Sequence, residues 1–153
     1  MATAKHTPDS AKVSIRLARL QDAPAFARLA RQLGYPSSPD QIRKRMTAVR
    51  RDHDHLVLAA DFGGHVLGWA HAYVRRSIGS DVCVELAGLV VDEAHRGRGV
   101  GSLLMDGVEA WAQCKRVGEV CLRSNIIRNR AHKFYEARGY AKVKSQHAFR
   151  KTL

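Results

Sequence analysis

With 153 residues the chain is long enough for one ordinary hydrophobic core and too short for two large domains. Hydrophobic residues make up 45% of it, yet no apolar run approaches the ~20 residues of a membrane-spanning helix, so a membrane protein is excluded on this pattern. Twenty-six Lys and Arg against 14 Asp and Glu give +12, a field that draws polyanions such as nucleic acid, acidic surfaces or polyphosphate ligands. The same field opposes a strongly cationic substrate unless acidic groups line its pocket, and an arginine-rich solvated surface explains it equally well.

Residues 1–12 are polar, lack the apolar core of a signal peptide and read as a flexible N-terminal tail, leaving 13–153 as a single domain. Val13-Ser14-Ile15-Arg16-Leu17 alternates as a strand. Asp22 then caps a helix with Pro24 in its first turn and Phe26, Leu29, Ala30 and Leu33 as its apolar stripe, ending at Gly34. Ser38-Pro39-Asp40-Gln41 is a capping box that opens a second helix, with Ile42, Met46 and Val49 inward. The runs Leu56 to Asp61 and His65 to Val74 form a hairpin about Gly63-Gly64, and Val82 to Val91 is a further strand. Val100, Leu104, Val108 and Trp111 mark a third helix, and Glu119 to Ser124 a short strand. Ala131, Phe134, Tyr135 and Arg138 share one side of a fourth helix closed by Gly139. Strands near Ala141 to Lys144 and His147 to Lys151 finish the chain. The order β-α-α-β-β-β-α-β-α-β-β predicts an α/β fold of the α+β mixed kind: a mixed, mostly antiparallel sheet of about seven strands with helices on both faces.

Three cysteines, Cys83, Cys114 and Cys121, form no C-x-x-C pair and read as reduced, buried thiols of a cytoplasmic protein. Asp52-His53-Asp54-His55 has metal-ligand residue types, but His53 and His55 would point to opposite faces of an extended segment, so no metal is expected. His71 and Trp69 share a strand face, as packing residues or as a substrate wall.

The most telling stretch is Arg96-Gly97-Arg98-Gly99-Val100-Gly101, between the apolar run Leu86–Val91 and the third helix. Strand, glycine-rich turn and helix start together expose unpartnered backbone N–H groups beside the positive end of a helix dipole, a pocket for phosphate. The third glycine of a dinucleotide fingerprint is replaced by Ser102, and the lysine of a P-loop is missing. What fits is [QR]-x-x-G-x-[GA] at Arg96, Gly99 and Gly101, a pattern that resembles the pyrophosphate signature of the Gcn5-related N-acetyltransferase (GNAT) family. Leu122-Arg123-Ser124-Asn125 extends the resemblance. So does Asn129-Arg130-Ala131-His132-Lys133-Phe134-Tyr135-Glu136-Ala137-Arg138-Gly139-Tyr140, which is similar to the family's N-x-x-A-x-x-F-Y-x-x-x-G-[FY] helix. It covers the chain from Val13 onward.

The resemblance implies the GNAT fold with splayed fourth and fifth strands, acetyl-CoA as acetyl donor, a primary amine of a small molecule or protein as acceptor, and direct transfer in a ternary complex. The pantetheine arm would pair with Leu89, Val90 and Val91, and the pyrophosphate would rest on the amides from Arg96 through Gly97, Arg98, Gly99, Val100 and Gly101 to Ser102. Asn125, Asn129 and Phe134 would complete the cofactor site, although Asn129 also reads as a helix cap. Homodimers are frequent in the family.

An alkylamine of pKa ~10 is neutral only about one part in a thousand at pH 7, so proton removal matters. Glu85, a carboxylate among apolar strand neighbours, is the candidate general base, directly or through water, if a bulge near Gly88 turns it toward the acceptor. The competing reading is an edge carboxylate paired with an arginine. A strand-four N–H, of Leu89 or Val91, would hold the oxyanion. The resemblance makes Tyr135 the general acid for the departing thiolate; packing against Phe134 is the alternative. Tyr35 falls, by fold analogy, near the acceptor pocket. Two other classes compete: a catalytically silent acetyl-CoA-binding module, against which the Phe134-Tyr135 pair and Glu85 argue, and a nucleic-acid binder, for which only the charge speaks.

Overall fold

The computed structural model describes residues 12–153, so the tail reading lies outside the described residues except at Lys12. Two compact units divide the chain, the first ending at Cys121 and the second running Leu122–Leu153.

The first unit is built on a sheet of order β1-β2-β3-β4-β5, formed by β1 (Ser14–Leu17), β2 (His55–Phe62), β3 (His65–Ser77), β4 (Ser80–Val91) and β5 (Val120–Leu122), the last straddling the unit boundary. The pairings β1/β2, β2/β3 and β3/β4 are antiparallel. The β2/β3 turn forms because Gly63 and Gly64 adopt φ of +57° and +88°, open to glycine without penalty, while Asp61 Oδ1 accepts the Gly64 N–H at 2.8 Å. Besides a register shift between Arg75 and Ser77 near the β3/β4 turn, two bulges interrupt the ladders. One lies at Ala60/Asp61. The other sets His71 opposite Gly88 and Ala72 opposite Leu86, so that Ala87 is the extra residue of β4.

Helices cover both faces. α3 (Val100–Cys114) buries Val100, Leu104, Met105 and Val108; it comes so close that a Cβ on Gly107 would sit 2.8 Å from Leu58 Cδ1. α1 (Ala23–Leu33) and α2 (Pro39–Val49) cover the other face, with Phe26, Leu29, Ile42 and Met46 against Ala59, Val66, Trp69 and Val90. Phe26 and Trp69 stack with centroids 5.4 Å apart. The Ser38/Gln41 capping box of α2 is present in both directions, at 3.1 and 2.9 Å.

Asp22 stands at the N-cap of α1 but makes no side-chain cap bond. Its buried carboxylate instead accepts two N–H groups of Arg16 at 2.8 and 2.9 Å and the Arg19 N–H at 2.7 Å. Burial pushes this carboxyl up; the Arg16 and Arg19 bonds outweigh it and hold the group below the ordinary carboxylate range.

Two expectations are corrected. Cys83 and Cys121 are joined as a disulfide between β4 and β5, Cα–Cα 6.4 Å, and Cys114 is exposed, so none of the three is a buried free thiol. The strands expected at Ala141 to Lys144 and His147 to Lys151 do not form: residues 141–153 carry no strand and are exposed throughout, Phe149 at 95%. Alternation marks a segment able to pair, but a strand exists only where a neighbour supplies the ladder bonds. The described sheet therefore has five strands, not about seven.

Candidate active site

The turn after β4 is tied down by α1. Arg28 reaches the Asp92 carboxylate, and Gln32 Oε1 accepts the Glu93 N–H at 3.0 Å. A 3-10 turn, Glu93–His95, follows, and Arg96 Nε donates to the Val91 carbonyl at 3.0 Å. Gly97 and Gly99 then take φ of +76° and +81°, the left-handed region, with nothing within 4 Å of where a Cβ would project. Gly99 is the N-cap of α3 and offers no side chain to its first turn. The amides of Val100, Gly101 and Ser102 therefore have no side-chain cap at the positive end of a 15-residue helix. Arg98 is exposed beside them.

Upstream, Leu89, Val90 and Val91 pair with Ala70, Trp69 and Gly68 of β3. On their other side β5 supplies only three strand residues beside the twelve of β4, and the two strands meet at the Cys83 end, where Val84 N–H donates to the Glu119 carbonyl at 2.9 Å.

Glu85 is buried at 7% exposure, across from Tyr73, with Oε2 3.4 Å from Arg75 Nε. The bulge at Ala87 puts Glu85 on the same face as Gly88, and hence as His71, Tyr73 and Trp69. His55 joins this face from β2: its Nδ1 lies 3.0 Å from His71 Nε2, and its ring stacks on Tyr73 at 5.5 Å. Burial and, secondarily, the neighbouring His55 push His71 down to about 4. Asp54 pairs with Arg76 and Lys115, and no group of three metal-ligating side chains occurs among the described residues.

The sequence reading missed the contact between His55 and His71, and its cause is physical. An unbroken ladder from the Gly63-Gly64 turn would pair His71 with Leu56 and leave the two imidazoles on opposite faces. The bulge at Ala60/Asp61 shifts the pairing to Val57/His71 and His55/Tyr73.

The second unit holds the remaining candidates. Its helix α4 (Asn129–Ala137) begins at Asn129, with Arg128 at the N-cap, so Asn129 is the first helical residue and not a cap. Asn125 Oδ1 accepts the Ile127 N–H at 3.2 Å, and its carbonyl accepts the Arg128 N–H at 3.0 Å, closing the turn that leads into the helix. Phe134 and Tyr140 both meet the Tyr135 ring edge-on, at 5.2 and 5.9 Å. Burial pushes the Tyr135 phenol up to about 12 against the opposing charge of Arg128, so it remains a protonated donor at neutral pH. Tyr35, in the first unit after α1, is 66% exposed. Among the described residues no helix is long and apolar enough to cross a membrane.

Comparison with known proteins gives a consistent result. A profile of the acetyltransferase (GNAT) family matches residues 20–140. An aminoglycoside N(6')-acetyltransferase type 1 of Stenotrophomonas maltophilia is 28% identical over 145 residues, covering 92% of this chain and 94% of that protein. Among solved structures, aminoglycoside N-acetyltransferase AAC(6')-Iy in complex with CoA superposes with a TM-score of 0.83 at 21% identity, over 96% of this chain and 99% of the other. Glucosamine-6-phosphate N-acetyltransferase from Arabidopsis thaliana gives 0.77 at 17% identity, over 91% and 98%.

Proposed function

Because the chain belongs to the GNAT acetyltransferase family, we propose that it moves the acetyl group of acetyl-CoA onto a primary amine of a small aminosugar-bearing molecule of the aminoglycoside type. The observation that carries this reading is the uncapped first turn of α3, opened by Gly97 and Gly99 directly after β4. A diphosphate fits such a concavity because the amides need acceptors, the helix end carries partial positive charge, and the glycines leave the approach clear. The curated relative, matched along nearly its whole length, supports the choice of acceptor.

In this reading Arg96, Gly97, Arg98, Gly99, Val100, Gly101 and Ser102 hold the donor's diphosphate, and Leu89, Val90 and Val91 hold its pantetheine arm through backbone bonds. Asn125, Asn129 and Phe134 complete donor binding. Acetyl-CoA supplies an activated acetyl thioester. The Glu85 carboxylate accepts a proton from the acceptor's ammonium, directly or through water, leaving a neutral amine to attack. A backbone N–H of Leu89 or Val91 stabilises negative charge on the acyl oxygen. Tyr135 Oη gives its proton to the departing sulfur. A polycationic acceptor must overcome the overall +12, and a buried carboxylate at the acceptor face provides local attraction for it.

The test is thiol release from acetyl-CoA against a panel of aminoglycosides, aminosugars, polyamines and lysine peptides, with product mass determined. The expected result is turnover on an aminoglycoside amine. Turnover confined to peptides would overturn the acceptor class, and CoA binding with no turnover on any amine would favour a silent binding module.

A further inference from the structure

The paired imidazoles of β2 and β3 are not used by the chemistry above, yet they lie on the face that carries Glu85. We propose that His71, His55 and Asp52 form a relay that carries the proton taken from the acceptor amine away from this face to solvent. The inference rests on the acetyltransferase reading and deepens it.

The geometry is directional. Exposure rises toward the outer end of the series: the His55 side chain is 25% exposed and Asp52 is 56% exposed, while burial holds His71 well below the ordinary imidazole range. His71 Nε2 and His55 Nδ1 are 3.0 Å apart, so one must donate and the other accept. His55 Nε2 lies 3.8 Å from Asp52 Oδ2, close enough for the carboxylate to favour a proton on that nitrogen. A proton on His55 Nε2 leaves its Nδ1 as the acceptor in neutral rings, which puts the bridging proton on His71 Nε2 and frees His71 Nδ1 as a base. The tautomers thus follow from the two contacts together.

The step balances within the protein. A proton arriving at His71 Nδ1 is matched by transfer of the Nε2 proton of His71 to His55 Nδ1. The Nε2 proton of His55 then passes to water, with Asp52 Oδ2 3.8 Å away to take it up through that water. The rings return by exchange of the reverse tautomers with solvent. A ring as enclosed as His71 does not accumulate the imidazolium form, which suits a hop in which one proton enters as another leaves. The titratable groups around the pair are Tyr73 and Arg75 on β3, Glu85 on β4, and Asp52 and Asp54 ahead of β2. Asp54 is engaged by Arg76 and Lys115, which leaves Asp52, whose Oδ1 accepts the Asp54 N–H at 2.9 Å, as the carboxylate beside the solvent end of the pair.

The experiment compares His71→Gln, His55→Gln and Glu85→Gln in full pH profiles of kcat and KM, alongside nitrogen-15 histidine NMR of the free enzyme. A relay predicts that each histidine variant lowers kcat about ten- to a hundredfold with KM for acetyl-CoA unchanged. It also predicts that added imidazole restores part of the activity of His55→Ala, which purely structural residues would not allow. The NMR should show the His55 and His71 tautomers assigned above, with the His55 signals displaced in His71→Gln. Unchanged kcat and pH profile in both histidine variants, with Glu85→Gln inactive, would overturn the relay and leave the base assignment standing. Glu85→Gln fully active would remove that assignment, and the opposite tautomer pattern would overturn the relay even if no acceptor were turned over.

Discussion

Gly88→Ala probes a close side-chain approach across the β3/β4 ladder. A Cβ at this position would lie 2.9 Å from Trp69 Cζ3 and 3.1 Å from Cη2, well inside normal carbon contact. The indole has little room to yield, because its ring stacks at 5.4 Å on Phe26, itself 3% exposed. Overpacking of this kind costs about 1–3 kcal/mol. For a chain of this length each kcal/mol shifts Tm by about 2–4 °C, so a drop of roughly 3–10 °C is expected. Thermal unfolding by circular dichroism measures it. The decisive control is the double variant with Trp69→Phe, which removes the offending edge of the indole. The pair should be less destabilised than the two single changes added together, by at least ~1 kcal/mol. A Gly88→Ala protein with unchanged Tm, or strict additivity in the cycle, would refute the packing argument.

Tyr135→Phe should lower kcat by about ten- to a hundredfold while leaving acetyl-CoA affinity nearly unchanged, since a thiol of pKa ~8.5 already leaves fairly well; equal losses in kcat and affinity would indicate packing instead. Gly99→Asp should retain the fold, because the site is open and Asp tolerates positive φ better than most residues, yet raise the CoA Kd at least ~10-fold by placing a carboxylate at the proposed phosphate site. Calorimetry decides it, and an unchanged Kd would remove the phosphate assignment. Arg16→Met leaves the buried Asp22 carboxylate without its main partner and should cost about 3 kcal/mol, toward the lower end for a buried pair because Arg16 is partly exposed. The Asp22 carboxyl lies below its ordinary value, so its contribution is present above pH ~4 and disappears as pH falls through the folded value; the variant should therefore lose stability less steeply on acidification, and parallel Tm–pH curves would contradict this.

Features decided by local chemistry were readable from the residues. The capping box at Ser38, the glycine turn of the β2/β3 hairpin and the glycine-opened start of α3 each depend on a few neighbouring side chains or on dihedrals that only glycine takes easily. Features decided by the far end of a ladder were not. Whether His55 meets His71 turns on a bulge at Ala60/Asp61 that no residue type there announces. The loss of strand at 141–153 depends on a partner, and the Cys83–Cys121 bridge depends on two strands brought together by the α3 crossover. Asp22 had the right residue type for a cap but was claimed by Arg16, six positions earlier, through two short bonds. Charged partners outcompete an exposed amide for a carboxylate.

The supernumerary Ala87 has a consequence for how β4 tolerates change. A pleated strand counts in twos, and one additional residue reverses the count for everything beyond it. Removing Ala87 would leave each half of β4 chemically intact yet hand one half's side chains to the wrong layer, either sending Glu85 toward α3 or turning Val90 away from Trp69. Point substitutions along this strand should thus be absorbed far more readily than a single deletion, and the even spacing of β4 is as much a part of its identity as any residue in it.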